Sequence, residues 1–264
     1  MSLADRYHEI LAYRREGLKK YGRLQPSDVG GPPSTVVLPR VSFARPESES
    51  VRVGPLWFSQ NPPIYHHLSR LLEKYQGHNC SILEIGPGNG DLAAAVLGKY
   101  GNRIAGYFGL ERDQNVQGGY ERIVAIEPGL RIDVLVASEV IEHMPADTFY
   151  DEILMPASRQ MSAEGVAIIG TPNALAPGSI FRDFTHVQGY AWYDLYAIAR
   201  TLFERVDVYR TRYLWSPQRL VWLLPNIIVS RALELDWCDG LVLLAQGPRS
   251  RAIAQATRTF TSVS

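Results

Sequence analysis

The chain has 264 residues, with 27 Lys and Arg against 27 Asp and Glu, and 46% of its residues are apolar. This length and composition fit a globular protein with a substantial core and exclude a wholly disordered or low-complexity chain. A net charge of zero argues against a broadly basic surface, so we expect no nucleic-acid partner. The N-terminus lacks the apolar core of a signal peptide, and no apolar run approaches the ~20 residues that cross a bilayer. We therefore expect a soluble, cytoplasmic protein without membrane insertion.

The first 56 residues are predicted to form a helix followed by an extended connector. Apolar side chains at helical spacing within residues 2–24 indicate an amphipathic helix. Six prolines fall within residues 25–56, which favours an extended segment. A second helix is predicted from Pro62–Pro63, because proline is tolerated in a first helical turn. We expect the main domain to span residues 57–250, followed by a tail at residues 251–264.

Short apolar runs alternate with helical segments along the main domain. Strands are predicted at Ile82–Ile85, Tyr107–Leu110, Ile123–Ile126, Ile132–Ala137, Val166–Gly170, Val206–Thr211 and Leu241–Ala245. Helices are predicted at Asp91–Tyr100, at Ala146–Met161 with a disturbance at Pro156, and from Trp192 to Phe203. Parallel βα units produce this rhythm, and their strands are buried on both faces. The pattern predicts an α/β fold with a doubly wound sheet.

The strongest chemical signal is a glycine-rich turn after the first of these strands. The strand runs into Gly86, Gly88 and Gly90 and then into a helix. Glycine lets the backbone approach a ligand closely, and a helix N-terminus presents free N–H groups. Glu84 precedes the turn, where a carboxylate opposes a phosphate but suits an ammonium group. The pattern favours S-adenosylmethionine, while a dinucleotide site and a purely structural turn stay open.

Two other strands end in acidic or polar residues. Glu111 follows the second strand, where a carboxylate can accept hydrogen bonds from both ribose hydroxyls, and a surface glutamate is the alternative. Ser138 and Glu139 follow the Ile132–Ala137 strand at its carboxyl end, where ligands bind in open α/β sheets. Glu142 and His143 come next and are expected to face the same crevice.

Together these segments resemble the class I S-adenosylmethionine-dependent methyltransferases over roughly residues 78–246. The resemblance is carried by Leu-Glu-Ile-Gly-Pro-Gly-Asn-Gly at 83–90 and by Ser-Glu-Val-Ile-Glu-His at 138–143. The run Gly-Val-Ala-Ile-Ile-Gly-Thr-Pro-Asn at 165–173 resembles the family's fifth strand and the following loop. The resemblance implies a seven-stranded Rossmann-like sheet with an antiparallel last strand, and S-adenosyl-L-methionine as cofactor.

The resemblance also implies roles for the residues of the three segments. The glycine turn would line the methionine part of the cofactor, with Glu84 near its amino group, Glu111 on its ribose and Ser138–Glu139 beside the crevice. The cofactor-binding residues implied in this way are Glu84, Gly86, Pro87, Gly88, Gly90, Glu111, Ser138 and Glu139.

The candidate catalytic residues lie partly in a later loop. The run Asp-Phe-Thr-His at 183–186 resembles one found in methyltransferases of glycan and surface-polysaccharide biosynthesis. Histidine is the natural base near neutral pH, so His186 is the first candidate, oriented by Asp183, and His143 is the second. An Asp–His pair that only fixes the loop is the alternative.

The sequence leaves metal dependence open and assigns no metal site. Glu139, Glu142 and His143 resemble the metal-coordinating run of ubiquinone-pathway O-methyltransferases. Two carboxylates and an imidazole can hold a divalent ion, but such residues also cap and pack. The sequence alone does not separate these roles.

The leading functional prediction is O-methylation of a sugar or sugar-bearing small molecule, with a small-molecule or glycan acceptor as partner. O-methylation of a phenolic or isoprenoid-linked metabolite is the nearest alternative. A nicotinamide-dependent oxidoreductase and a non-catalytic methyltransferase-like binding domain also stay open. The sequence does not identify the acceptor or the oligomeric state.

Overall fold

The computed structural model describes residues 2–21, 34–37, 51–53, 56–59, 63–74, 79–111, 119–120, 131–180, 183–213, 221–233, 236 and 238–249. Within these residues one sheet contains ten strands in the order β2-β3-β1-β9-β10-β8-β7-β4-β5-β6. The strands are β1 (Ser34–Val37), β2 (Val51–Val53), β3 (Leu56–Ser59), β4 (Cys80–Ile85), β5 (Ile104–Leu110), β6 (Gly119–Tyr120), β7 (Ile132–Ser138), β8 (Met161–Pro172), β9 (Phe203–Tyr213) and β10 (Gly240–Pro248).

The helices are α1 (Tyr7–Tyr21), α2 (Pro63–Lys74), α3 (Asp91–Tyr100), α4 (Ala146–Thr148), α5 (Met155–Gln160), α6 (Trp192–Arg200) and α7 (Leu223–Ala232). A π-helical turn, Phe149–Leu154, joins α4 to α5. Pro156 follows that turn in the first turn of α5. Proline has no N–H to continue an α-helical ladder, which accounts for the predicted disturbance at this point.

The predicted α/β fold is confirmed, whereas the predicted strand count is not. Six long strands, β4, β5, β7, β8, β9 and β10, form the centre of the sheet, and β10 runs antiparallel to both β8 and β9 as expected. Within the described residues the sheet has ten strands, because β1, β2 and β3 extend it beyond β9, to which β1 pairs in parallel, and the two-residue β6 extends it beyond β5. The predicted Ile123–Ile126 strand lies outside the described residues.

Two apolar clusters cover the opposite faces of the sheet. Leu83, Leu135 and Ile169 belong to the cluster that includes α6 and the α4–α5 segment. Their chain neighbours Ile82 and Val134 belong to the other cluster, together with α2 and α3. Successive strand residues point to opposite faces, so strands buried on both sides read as unbroken apolar runs.

The topology places the functional segments at one edge of the sheet. Strands β4, β5, β7 and β8 are parallel, so their carboxyl ends meet at the same edge. The turns and loops that follow these strands carry the glycines and the candidate acidic and histidine side chains.

Among the described residues, no helix has the length and apolar character required to span a bilayer.

Candidate active site at the carboxyl edge of the sheet

The glycine turn between β4 and α3 needs glycine for two separate reasons. Gly86, Gly88 and Gly90 have φ angles of 63°, 52° and 76°, a region that side chains disfavour. A Cβ on Gly86 would also lie 2.6 Å from Val140 Cγ2, so the turn packs against the segment after β7. Within the described residues, a Cβ on Gly88 or Gly90 would meet no atom within 4 Å, which leaves open space beside the turn.

Glu84 is a buried carboxylate on the strand that enters this turn. Its side chain is 3% exposed, and Tyr107 Oη on β5 donates a 2.7 Å hydrogen bond to its Oε2. Burial raises the pKa of Glu84, while the bond from Tyr107 opposes that change. A buried carboxylate held in this way favours a cationic partner. Tyr107 was not predicted as a site residue, because nothing in its strand pattern marks the hydroxyl.

Glu111 lies beside the glycine turn. The Gly86 N–H donates a 2.8 Å hydrogen bond to Leu110 O at the end of β5. Glu111 is the next residue in the chain and is half-buried. Residues that suit the methionine end and the ribose of the expected cofactor therefore lie on adjacent strand ends. The open turn, the buried Glu84 carboxylate and the position of Glu111 together fit S-adenosylmethionine.

Ser138 and Glu139 end β7 at the same edge, and both side chains are exposed. Glu139 is the one non-glycine residue in the described part of the chain with a positive φ, at 53°. Its N–H donates a 3.0 Å hydrogen bond to Gly170 O on β8. Although part of the residue is exposed, nearby protein atoms reduce the hydration of its carboxyl group. This desolvation, together with repulsion from the Glu142 and Asp239 carboxylates, raises the pKa of Glu139 to about 7.

The two candidate histidines lie together. The rings of His143 and His186 meet edge to face with their centroids 4.8 Å apart. His143 ends a short 3₁₀ turn, Ile141–His143, after β7, and His186 lies in the loop after β8. The two segments therefore meet at these rings, and a shared crevice beside them stays a prediction.

The predicted orientation of His186 by Asp183 is wrong. Asp183 Oδ1 instead accepts hydrogen bonds from the Thr185 N–H at 2.9 Å and from Thr185 Oγ1 at 2.7 Å. His186 Nδ1 lies 3.0 Å from Ile180 O, a contact in which only the imidazole can donate. Spacing along the chain suggested an Asp–His pair, but the tight turn at residues 183–185 points the carboxylate back to Thr185.

Asp183 acts on His143 through Thr185. Thr185 Oγ1 lies 2.9 Å from His143 Nδ1, and the single hydroxyl proton is already donated to Asp183. The hydroxyl must therefore accept from a protonated His143 Nδ1, which leaves the lone pair of the neutral ring on Nε2. His186 has the same tautomer because its Nδ1–H donates to Ile180 O. Thr185, which links Asp183 to His143, was not predicted from the sequence.

Glu142 holds the histidine-bearing loop in place and is itself fully buried, at 0% exposure. Its backbone O accepts hydrogen bonds from the N–H groups of Val187 and Gln188 at 2.9 and 3.0 Å. Its Oε2 accepts a 3.0 Å bond from Thr171 Oγ1, whereas its Oε1 has no hydrogen-bond partner among the described residues. Burial raises the pKa of Glu142.

Comparison with known proteins identifies the family. A family model described as a methyltransferase domain matches residues 58–226, more than half of the chain. A SAM-dependent methyltransferase from Archaeoglobus fulgidus has a similar fold, with a TM-score of 0.53 and 16% identity over 69% of this chain and 92% of that chain.

Two other similar structures are less close in fold. The N-methyltransferase NodS from Bradyrhizobium japonicum WM9 has a TM-score of 0.45 and 13% identity, over 72% of this chain and 99% of that chain. A 1,6-didemethyltoxoflavin-N1-methyltransferase from Burkholderia thailandensis has a TM-score of 0.44 and 14% identity, over 72% of this chain and 80% of that chain. No curated protein matches the sequence significantly. The chain belongs to the methyltransferase domain family, and it is an enzyme that uses S-adenosylmethionine.

Proposed function

We propose that the enzyme O-methylates a sugar or sugar-bearing small molecule. The observation that supports this proposal is the pair of imidazoles at the carboxyl edge of the sheet, each with its Nδ1–H donated to a fixed acceptor. A hydroxyl needs a base to become a good nucleophile, and neutral imidazole is suited to that task near pH 7. The resemblance of the 183–186 run to that of glycan methyltransferases supports a sugar acceptor.

The cofactor-binding roles follow from the arrangement around the glycine turn. We propose that Gly86, Pro87, Gly88 and Gly90 line the methionine part and that Glu84 faces its ammonium group. Glu111 would accept hydrogen bonds from the ribose hydroxyls, and Ser138–Glu139 would flank the crevice. A carboxylate at each of two adjacent strand ends, beside an open turn, supports these assignments.

The chain's own residues supply orientation and proton removal. When bound, S-adenosylmethionine supplies a methyl group on a positively charged sulfur, which an acceptor oxygen attacks in line. The Nε2 of His186 or His143 takes the hydroxyl proton as the bond from oxygen to carbon forms. The Asp183–Thr185 hydrogen bonds keep the His143 ring in the tautomer that can accept this proton.

A phenolic or isoprenoid-linked acceptor is the second candidate, and one observation favours it. Phe184 and Val187, in the loop that carries His186, are 98% and 65% exposed. Apolar side chains at the rim of an acceptor site would suit an aromatic or prenyl group. The net charge of zero supports small-molecule or glycan acceptors rather than nucleic acid, and we propose that the enzyme acts in the cytoplasm.

The test is methyl transfer to a panel of sugars, glycosides, phenols and amines, followed by mass spectrometry. We expect O-methylated sugars from the parent enzyme, and a loss of roughly 10²–10⁴-fold in turnover when the base is removed by His186→Ala or His143→Ala. His8→Ala, an exposed histidine on α1, is the matched control and should retain full activity. Methylation of phenols alone would favour the second candidate, and methylation of amines or carbon alone would overturn O-methylation.

A further inference from the structure

Three side chains near the proposed acceptor position form a compact group of potential metal ligands. Glu142, His143 and His186 each offer one ligand atom, and these atoms all lie within 4.8 Å of one another. Glu142 and His143 come from the 3₁₀ turn after β7, and His186 comes from the loop after β8. The backbone bonds between that loop and Glu142 O fix the two segments to each other.

Each member of the group has an unused lone pair. The Nδ1–H of His143 is donated to Thr185 and that of His186 to Ile180 O, so both Nε2 atoms carry lone pairs. The fully buried Glu142 uses Oε2 to accept from Thr171, and its Oε1 has no partner in the part of the chain that the structure describes. Leaving a buried carboxylate oxygen unpaired is costly, so this arrangement favours a cation among the three groups.

The surroundings of the two rings are those that metal-ligating histidines need. Such a histidine donates its second ring N–H to a carboxylate, a backbone carbonyl or another fixed acceptor, which sets its tautomer and orientation. His186 donates to a backbone carbonyl, and His143 donates to a hydroxyl that is held by the Asp183 carboxylate. These outer contacts are present on both rings.

We propose that Glu142, His143 and His186 bind a divalent transition-metal ion through one carboxylate oxygen and two imidazole nitrogens. Imidazole ligands favour ions such as Zn²⁺, Co²⁺ and Fe²⁺ over Mg²⁺ and Ca²⁺, which prefer oxygen. Metal–nitrogen bonds of ~2.1 Å would draw the ligand atoms closer together than they are in the structure. The ligand set contains His186, which the sequence resemblance did not imply, and omits Glu139.

The ion gives the proposed O-methylation a different means of activating the acceptor, and this role rests on the proposed function. A bound hydroxyl becomes more acidic on a divalent ion. Its proton leaves to solvent, its oxygen bonds to the methyl carbon, and the carbon–sulfur bond breaks with both electrons going to sulfur. The two imidazoles then act as ligands of the ion rather than as bases.

The test is metal binding by the tag-free full chain after chelator treatment and dialysis. Co²⁺ is titrated by visible absorption and Zn²⁺ by calorimetry, without cofactor or acceptor. We expect one ion per chain, and at least tenfold weaker binding in both Glu142→Gln and His186→Ala. Glu142→Gln keeps an acceptor for Thr171 but removes the charge, and the partly exposed His186 can be replaced without disturbing the core. His8→Ala is the control and should bind as the parent does.

The outcomes separate this inference from the proposed function. Absence of a stoichiometric ion, or equal affinity in the parent and both variants, overturns the metal site. If chelated enzyme still methylates a sugar at the full rate, the metal role fails and O-methylation stands. If the ion binds as expected but no hydroxyl acceptor is methylated, the metal site stands and the proposed function fails.

Discussion

At the residue scale, Glu139 shows how the site departs from ordinary backbone preferences. A left-handed conformation costs a side-chain-bearing residue roughly 1–2 kcal/mol, and such strain concentrates at functional positions. Here the bond from the Glu139 N–H to Gly170 O holds the residue at φ 53°, directly after β7. The strain places a carboxylate with a raised pKa at the edge of the crevice.

Glu139→Gln is expected to stabilise the ligand-free protein at pH 8 but not at pH 5. The folded-state pKa of about 7 lies above the ordinary value of 4.5, so the folded protein loses stability as pH rises between these values. Glutamine does not ionise and avoids that loss. Because the side chain is open to solvent, we expect a gain of only about 1 kcal/mol. Urea unfolding at both pH values measures it, and an equal effect at the two pH values would contradict the assigned cause.

Sequence reasoning performs well for residues fixed by backbone geometry and less well for side-chain partners. The three glycines indicated a turn between a strand and a helix, and the structure has that turn between β4 and α3, with positive φ angles at all three. Thr185 and Tyr107 were missed because their roles depend on hydrogen bonds between separate segments. The Asp183–His186 pairing was wrong for the same reason, since proximity in the chain does not fix side-chain direction.

At the element scale, the loop between β8 and α6 fixes the positions of both His143 and His186. Its Thr185 hydroxyl links Asp183 to His143, and its backbone bonds to Glu142 hold His186 beside that ring. The loop therefore positions one histidine that it carries and another that it does not.

Thr185→Val is expected to reduce turnover by roughly tenfold to a hundredfold while leaving cofactor affinity unchanged, because the His143 tautomer is no longer fixed. Thr185→Ser restores the hydroxyl and should recover most of the activity. Thr148→Val, a half-buried threonine on α4, is the control for the substitution itself. The measurement compares kcat with the affinity for S-adenosylhomocysteine, and undiminished kcat in Thr185→Val would remove Thr185 from the mechanism.

The elements that the sequence did not predict share a physical cause. Strands β1, β2 and β3 are three or four residues long and lie in or next to the proline-rich segment, and β1 is paired with the distant β9. Helix α7 contains Pro225 and exposes Leu224, Ile228 and Val229, so it lacks a one-sided apolar pattern. Local periodicity detects amphipathic helices and buried strands but not elements of this kind.

At the scale of the whole molecule, the N-terminal helix is part of the packed structure. Gly17 of α1 faces the Tyr196 ring of α6 so closely that a Cβ would lie 2.8 Å from it. Tyr196 Oη donates a 2.8 Å hydrogen bond to Glu16, and Arg6 donates to Thr201 O at 2.9 Å. We propose residues 57–250 as the methyltransferase domain, with α1 attached to it through α6.

The position of the site follows from the topology of the sheet. Parallel strands bring their carboxyl ends to one edge, and the turn after β4, the end of β5 and the segment after β7 supply the proposed cofactor site there. Helices cover both faces of the sheet, so the strand ends are where its side chains can reach a ligand. We propose that the open side of the glycine turn receives the cofactor.

Calorimetric titration with S-adenosylhomocysteine tests that claim most directly, with Gly88→Ala and Gly247→Ala as matched variants. Gly88 and Gly247 have φ angles of 52° and 67°, so alanine adds a similar strain of about 1 kcal/mol at each. Gly247 lies near Glu204 at the opposite edge of the sheet. We predict binding to the parent, equal binding to Gly247→Ala and at least tenfold weaker binding to Gly88→Ala. No binding to the parent, or equal affinity in all three proteins, would contradict the account.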